Sequence, residues 1–413
     1  MHAQDGLCFE DVPLNAIADQ HGTPVWVYGA GTIRARYAAL ASAFAAAGLD
    51  PHIHYAVKAN DHLAILGILR EAGAGADVVS LGEFLRARKA GVAAADIVFS
   101  GVGKSEAELS AALAAGIGQI NVESPAELAM LAAIAKNVGK TARIVLRMNP
   151  DVDAGTHEKI TTGRADNKFG IAAADIPALY AHAAGLPFIQ PAGIALHIGS
   201  QILSPGPYAA AYGKAASLIR ALRAAGQDVE TLDLGGGLGI GYRDEPGLSL
   251  PAFAATVKRE TADLGVRLIL EPGRYLLGPA GLLLASVILE KHGGAKRFVV
   301  LDAAMNDLLR PALYDSWHGI LPVSPVDYLR PAMPADIVGP VCETGDTFAT
   351  SRCLPEFCAG ARVAILDAGA YGAVMSSPYN ARPRAAAVLI DAGAARLITP
   401  RQQVEDLWAH EID

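Results

Sequence analysis

His52-Ile-His-Tyr-Ala-Val-Lys-Ala-Asn60 is the stretch on which the fold turns. At period two, Ile53, Tyr55 and Val57 form an apolar face, while His52, His54, Ala56 and Lys58 fall on the other. Such a strand has one greasy side and one chemically equipped side, and it ends in a lysine. An amine partly withdrawn from water near a cationic group is easier to deprotonate, and it can then form an imine with a carbonyl compound.

The same pattern recurs. Further strands are expected to end near Ser80, Gly101, Ser124, Pro150, Ser200, Gly237 and Arg274, the first of them at intervals of about two dozen residues. That interval holds one strand, one short helix and two loops. Residues 64–70, 81–90, 105–115 and 125–136 carry apolar residues at helical spacing, with Ser105 and Ser124 as caps. Eight alternating units predict an α/β fold, a (β/α)8 TIM barrel, whose chemistry sits where the strands end. By alternation Asp77, Asn121, Glu123, Arg147, His197 and Glu271 share the barrel-facing side with Lys58. A purely structural barrel would place Val, Ile and Leu there, so these polar groups point to a ligand that satisfies them.

The chain has 413 residues, more than one barrel needs, and a net charge of -8. No basic face is offered to nucleic acid or to an anionic membrane. Asp5, Glu10 and Asp11 interrupt any secretory leader, and the apolar stretch 278–289 is too short to span a bilayer, so a cytoplasmic protein is expected. Cys8, Cys342, Cys353 and Cys358 are too scattered for a disulfide framework or a zinc site. His52 and His54 lack a nearby carboxylate and are read as core polar groups, so no metal is expected.

After Arg274 the texture changes to alternating segments at 284–289, 297–301, 362–366 and 385–390, separated by Gly, Pro and Asp turns. The expected organisation is a barrel over 29–275 and a mostly β domain, a sandwich or barrel, from 276–413 together with 1–28, itself read as strand. Residues 151–190 and 303–380 are too long for connectors and are read as binding loops.

Gly235-Gly-Gly-Leu-Gly239 after the seventh strand and Glu271-Pro-Gly-Arg274 at the eighth stand where barrels hold a phosphate. Glycines let backbone N–H groups approach phosphate oxygens, and a helix after the loop would add its positive end. The G-x-G-x-x-G spacing of a dinucleotide site is missing. An imine lysine, a phosphate cradle and a carboxylate suited to a pyridine nitrogen together suggest pyridoxal 5'-phosphate, with Glu271 keeping the ring nitrogen protonated.

On these residues the chain resembles the fold-type III pyridoxal-phosphate-dependent decarboxylases. It is most similar to the branch that converts meso-2,6-diaminopimelate to L-lysine and CO2, the last step of lysine biosynthesis. The resemblance runs end to end through Tyr55-Ala-Val-Lys-Ala-Asn60, the 149–163 block, Asn167-Lys-Phe-Gly170, His197-Ile-Gly-Ser-Gln201, Gly235-Gly-Gly237 and Glu271-Pro-Gly-Arg274. It continues through Met305-Asn-Asp-Leu-Leu-Arg-Pro311 with Tyr314, Cys342-Glu-Thr-Gly-Asp346, Ala370-Tyr-Gly372 and Tyr379-Asn-Ala-Arg-Pro-Arg384. It implies that Lys58 and His197 are catalytic and hold the cofactor, with Asp77, Ser200, Gly237, Glu271, Pro272, Gly273, Arg274 and Tyr371 also binding it. Arg274, Arg310, Tyr314 and Tyr371 would bind the amino-acid substrate, and Glu343 its distal ammonium. Cys342 would protonate the carbanion left by CO2, reaching the site from a second subunit, so the resemblance also implies a homodimer with shared sites. Racemases of this fold usually carry arginine in place of Glu271, and polyamine-type decarboxylases aspartate in place of Glu343. A non-catalytic homologue would not be expected to keep Lys58, Cys342 and Glu271 together.

Overall fold

A computed structural model describes residues 2–3, 6–155, 162–163, 167–294 and 296–412. The chain divides into two compact units. The first comprises Arg36–Gly241 and Pro246–Tyr275; the second comprises the chain up to Ala35, Tyr242–Glu245 and the chain from Leu276 on.

The first unit is a closed parallel barrel. Its strands are β1 His52–Ala56, β2 Gly75–Val78, β3 Ile97–Phe99 and β4 Gln119–Val122. They continue as β5 Ala142–Asn149, β6 Ile189–Ala195, β7 Thr231–Asp233 and β8 Arg267–Leu270. Each pairs in parallel with the next, and β8 pairs back onto β1 through Ile269 opposite His52 and Leu270 opposite Ile53. Closure removes both sheet edges and fixes which alternate residues face the interior.

Short β-to-α connections are written as a serine followed three residues later by glutamate. Ser80 accepts from the Glu83 amide at 3.2 Å, and Ser124 from Glu127 at 3.1 Å. Ser105 and Glu108 form a reciprocal capping box. The helices that follow, Leu81–Lys89, Glu106–Ala114 and Pro125–Val138, therefore start close behind their strands and hold the strand ends on one rim. The stretch 151–190, expected as a binding loop, instead contains the helix Ile176–Ala184 that crosses from β5 to β6. Part of the quoted 149–163 block, residues 156–161, lies outside the described residues.

The second unit is mostly β. Its sheet runs Thr347–Pro355, Ala332–Val338, Lys296–Leu301, Gly281–Gly293, Val25–Gly29, Ala386–Asp391 and Ala394–Thr399. The long strand Gly281–Gly293 organises it, pairing along its first part with both Val25–Gly29 and Arg362–Ile365 and along its second with Lys296–Leu301. Val25, Val27, Leu282, Leu284, Val388 and Ile390 alternate into one core.

Two expectations are corrected here. The first 28 residues include a helix, Leu14–His21, which buries Leu14, Ile17 and Ala18 at helical spacing. The stretch 303–380, expected as binding loops, contributes the strands Ile320–Pro322, Ala332–Val338 and Thr347–Pro355. Their alternation is broken by register shifts between Ala335 and Ile337 and between Ile337 and Val338, which hides the period of two. Among the described residues no helix is long and apolar enough to cross a membrane.

Candidate active site

Beyond β1 the chain makes one tight turn, Val57–Ala59, and Lys58 projects from it. Its ammonium lies 2.9 Å from Asp77 Oδ2, with the lysine side chain 35% and the aspartate 0% exposed. The second oxygen of Asp77, Oδ1, is buried without a hydrogen-bond partner among the described residues. Lys58 lines a cavity of about 180 Å³ together with Ser100, Asn121, Arg147, His197 and Glu271. Of the polar strand-end residues expected from alternation, Lys58, Asn121, Arg147, His197 and Glu271 thus share one space within the barrel unit, while Asp77 and Glu123 are joined to it through Lys58 and Arg147.

The imidazole of His197 accepts from the Gly236 amide through Nδ1 at 3.2 Å, which puts the ring proton on Nε2. Burial, reinforced by the charges of Lys58 and Arg147, holds its pKa well below the usual histidine range. At neutral pH the ring is therefore an uncharged plate. Glu271 is pushed the other way, well above the usual carboxyl range, by burial and by the neighbouring Asp233 and Asp77, with Lys58 opposing.

The glycine run is dictated by close approach. A Cβ on Gly236 would collide with the Glu271 carbonyl oxygen, and one on Gly237, whose φ is +91°, with that of Gly199. Gly237 in turn accepts from the Ile202 amide at 2.9 Å, and Arg274 donates to Ser200 Oγ at 3.1 Å. The loops after β6, β7 and β8 are thereby laced together. The expected helix behind the glycine loop is absent: the next one, Leu250–Thr261, begins only after Ser249. Arg274 opens a turn of four residues, Arg274–Leu277, and Pro272 accepts from the Ala56 amide at 3.1 Å. Any phosphate cradle here rests on backbone amides and side chains and not on a long helix end.

Arg147 pairs with Glu123 at 2.6 Å and lies 4.9 Å from the Phe169 ring. Glu123 also accepts from the amides of Gly101 and Gly170 at 3.2 and 3.1 Å. This explains why Asn167-Lys-Phe-Gly170 carries a motif: its end is tied to the barrel rim.

The remaining expected residues belong to the second unit. Arg310 is buried at the start of the helix Arg310–Tyr314, with His318 Nε2 at 2.9 Å and Ser316 Oγ at 3.2 Å. Tyr314 ends that helix, and Tyr371 sits at a φ of +57°. Cys342 and Glu343 occupy the exposed connection between Ala332–Val338 and Thr347–Pro355, a hairpin tip and not a long loop. The Cys342 amide donates to Asn380 Oδ1 at 3.0 Å, and Tyr379 donates to Glu343 Oε2 at 2.9 Å. Two motifs far apart in sequence thus meet. Asp346 braces the tip by accepting from the amides of Met305 and Val341, each at 2.7 Å.

Sequence reasoning passed over Ser100, Gln119 and Asp233, which stand beside Glu271 or beneath it. Asp233 was findable: Thr231 and Asp233 alternate with Leu232 on β7 and with Leu234 just beyond it, as Asp77 does on its own strand.

A lysine at a strand end, a carboxyl for a ring nitrogen, a flat neutral imidazole and a glycine cradle define a barrel enzyme of the pyridoxal-phosphate type. The buried Asp77 Oδ1 beside Lys58, without a hydrogen-bond partner among the described residues, and the cavity that Lys58 shares with His197 and Glu271 fit such a cofactor. Residues 30–278 match the pyridoxal-binding domain of the pyridoxal-dependent decarboxylases. The chain is 49% identical over 98% of its length to diaminopimelate decarboxylase of Zymomonas mobilis, covering 96% of that protein. It is 44% identical to that of Aquifex aeolicus, over 99% of this chain and 97% of the other. The solved structure of Helicobacter pylori diaminopimelate decarboxylase complexed with L-lysine superposes with a TM-score of 0.92 at 40% identity, covering 96% of this chain and 98% of that one. The chain belongs to the diaminopimelate decarboxylase family of pyridoxal-dependent decarboxylases, and pyridoxal phosphate is its cofactor.

Proposed function

We propose that the protein decarboxylates meso-2,6-diaminopimelate to L-lysine and CO2, the last step of lysine biosynthesis. The observation that carries this reading is the convergence of Lys58, His197 and Glu271 on one cavity, with Asp77 paired to Lys58, in a chain so similar to diaminopimelate decarboxylases. The Helicobacter pylori relative was solved with L-lysine, which is the expected product here.

When bound, pyridoxal phosphate supplies an electron sink for the carbanion that decarboxylation leaves. Lys58 holds it covalently, and Asp77 orients the lysine amine from 2.9 Å. The neutral His197 ring offers a stacking face without repelling a cationic heterocycle, and Glu271 meets the ring nitrogen. Ser200, Gly237, Pro272, Gly273, Arg274 and Tyr371 take the phosphate end. The guanidiniums of Arg274 and Arg310, with Tyr314 and Tyr371, bind substrate carboxylate, because a planar fork matches a carboxylate through two parallel hydrogen bonds. Glu343 offers the opposite charge to the distal ammonium, and Cys342 delivers the proton to carbon. In our reading Cys342 and Glu343 serve the site of a partner subunit in a homodimer. Four free thiols fit a reducing, cytoplasmic setting.

The test is CO2 release from meso-diaminopimelate, L-lysine, ornithine and arginine side by side. Only the first should be turned over well. Removing a hydrogen-bonded substrate group from a site built to receive it can reject an analogue by roughly 10⁴-fold. Comparable turnover of lysine or ornithine would refute the substrate assignment.

A further inference from the structure

Beneath the cavity the barrel interior is polar. Asp233 is fully buried; its Oδ1 accepts from the Gly235 amide at 3.0 Å, and its Oδ2 from Gln119 Nε2 at 3.2 Å and Asn121 Nδ2 at 3.3 Å. The orientation of Asn121 follows from Gln119, which donates to Asn121 Oδ1 at 2.8 Å and leaves the amide nitrogen to point at acceptors. That same nitrogen lies 3.4 Å from Glu271 Oε1, and Ser100 Oγ is also 3.4 Å from Oε1. One amide nitrogen, Asn121 Nδ2, thus lies within 3.4 Å of an oxygen on each carboxyl, which makes the two buried acids close neighbours.

Two carboxyls crowded around one amide inside a buried site repel each other as anions, so at neutral pH one of them keeps its proton. The donors decide which oxygen owns it. Asp233 receives three hydrogen bonds, one from a backbone amide at ordinary length. Glu271 receives two, both at the long limit of hydrogen-bond range. Donors stabilise an anion, so the charge belongs on Asp233 and the proton on Glu271.

We propose that Asp233 is a positioning residue that keeps a proton on Glu271 in the apoprotein, so that Glu271 meets the cofactor as an acid and hands that proton to the ring nitrogen. The proposal rests on the assignment of Glu271 to that nitrogen. The balance is simple: the O–H bond of Glu271 breaks, an N–H bond forms on the ring, and Glu271 is left as the carboxylate that pairs with it. No other reactant is needed. Of the charged neighbours, Arg267 near Asp233 favours the same order, whereas Lys58 near Glu271 works against it. Asp77 adds negative charge near both carboxyls and Lys58 opposes it at Glu271, while Arg267 and Tyr212 are the other titratable groups that sense Asp233. Burial raises both carboxyls, Asp233 to about 6 and Glu271 well above its usual range.

Infrared spectroscopy of the apoprotein, with glutamate or aspartate carboxyls carrying carbon-13, tests this directly. At neutral pH the difference between wild type and Glu271→Gln should show the C=O stretch of a buried protonated carboxyl that shifts only with glutamate labelling, set apart in this way from Glu83, which burial also pushes up to about 7. It should be missing in Glu271→Gln and should disappear when pyridoxal phosphate is added to the wild type. In Asp233→Asn the band should titrate away at a pH lower by roughly one unit or more, the scale of a lost neighbouring charge. A band that belongs to aspartate, no band at neutral pH, or a glutamyl band unmoved by Asp233→Asn overturns the role of Asp233. Should Asp233→Asn not fold, the labelling comparison on wild type and Glu271→Gln still decides which carboxyl holds the proton. The nitrogen-15 resonance of labelled cofactor separates the parent reading: if Glu271→Gln leaves it unchanged, Glu271 does not meet the ring and the hand-over fails with it.

Discussion

Lys104 is a lysine with no exposed side-chain surface, and replacing it by methionine is the most informative single perturbation of the barrel. Its ammonium lies 2.8 Å from Glu127 Oε1, donates to the Asn121 carbonyl at 2.8 Å and also binds the Gly101 carbonyl. Glu127 in turn accepts from the Glu123 amide at 2.9 Å, so one ammonium joins two strand ends and the helix behind them. Lys104→Met keeps the volume of the stem but leaves Glu127 buried without its cation. Breaking a buried pair in this way costs about 3–5 kcal/mol, and for a unit of this size each kcal/mol moves the midpoint by about 2–4 °C. We therefore expect the apoprotein melting midpoint, followed by circular dichroism, to fall by roughly 6–20 °C near pH 8. Burial already raises the Glu127 pKa while Lys104 lowers it, so losing the lysine raises it further. A folded-state pKa above the unfolded value stabilises at low pH, and that contribution is lost as pH rises through the folded value. The penalty should accordingly shrink as the pH falls toward the usual carboxyl range. Lys104→Met combined with Glu127→Gln should recover more than about 1 kcal/mol relative to the single variant, because no uncompensated charge remains. A single variant within about 0.5 kcal/mol of wild type, or a penalty that is the same at both pH values, would refute this reasoning.

Lys58→Ala should abolish activity and the visible absorbance of the bound cofactor, and borohydride reduction of the wild type should fix the cofactor on Lys58 alone; a label mapped to another lysine would sink that assignment. Gly236→Ala, which drives a Cβ into the Glu271 carbonyl, should cost about 1–3 kcal/mol and weaken cofactor binding measured by fluorescence titration; unchanged affinity would show that the loop can yield. Cys342→Ala should retain cofactor and substrate binding but lose roughly 10²–10⁴ in turnover. Mixing it with Lys58→Ala under verified subunit exchange should restore activity in hybrid dimers, and a mixture that stays inactive would place Cys342 in its own chain's site or in none.

The barrel was legible because its signals are local. Strand alternation, serine caps and glycine loops repeat at a constant interval, and each can be read within a few residues of itself, as Ser124 and Glu127 show on either side of a helix start. The strands at 332–338 and 347–355 were not legible, since register shifts break their period and only pairing across the sheet holds them extended. The helix Leu14–His21 was also missed. Its apolar residues are few, and its buried face becomes evident only beside the strands that cover it.

The same division runs through the active site. Sequence alone determined which residues could do chemistry: Lys58 at the end of a half-polar strand, Glu271 before a proline and a glycine, and the glycine run after β7. Only tertiary structure decided their partners and their charge states. Asp77 reaches Lys58 across neighbouring strands, and Ser100 and Asn121 meet Glu271 through the barrel interior, from strands far apart in the chain. Hydrogen bonds and desolvation act through space. Where the proton rests on a buried carboxyl is therefore set by neighbours that no local window of sequence contains.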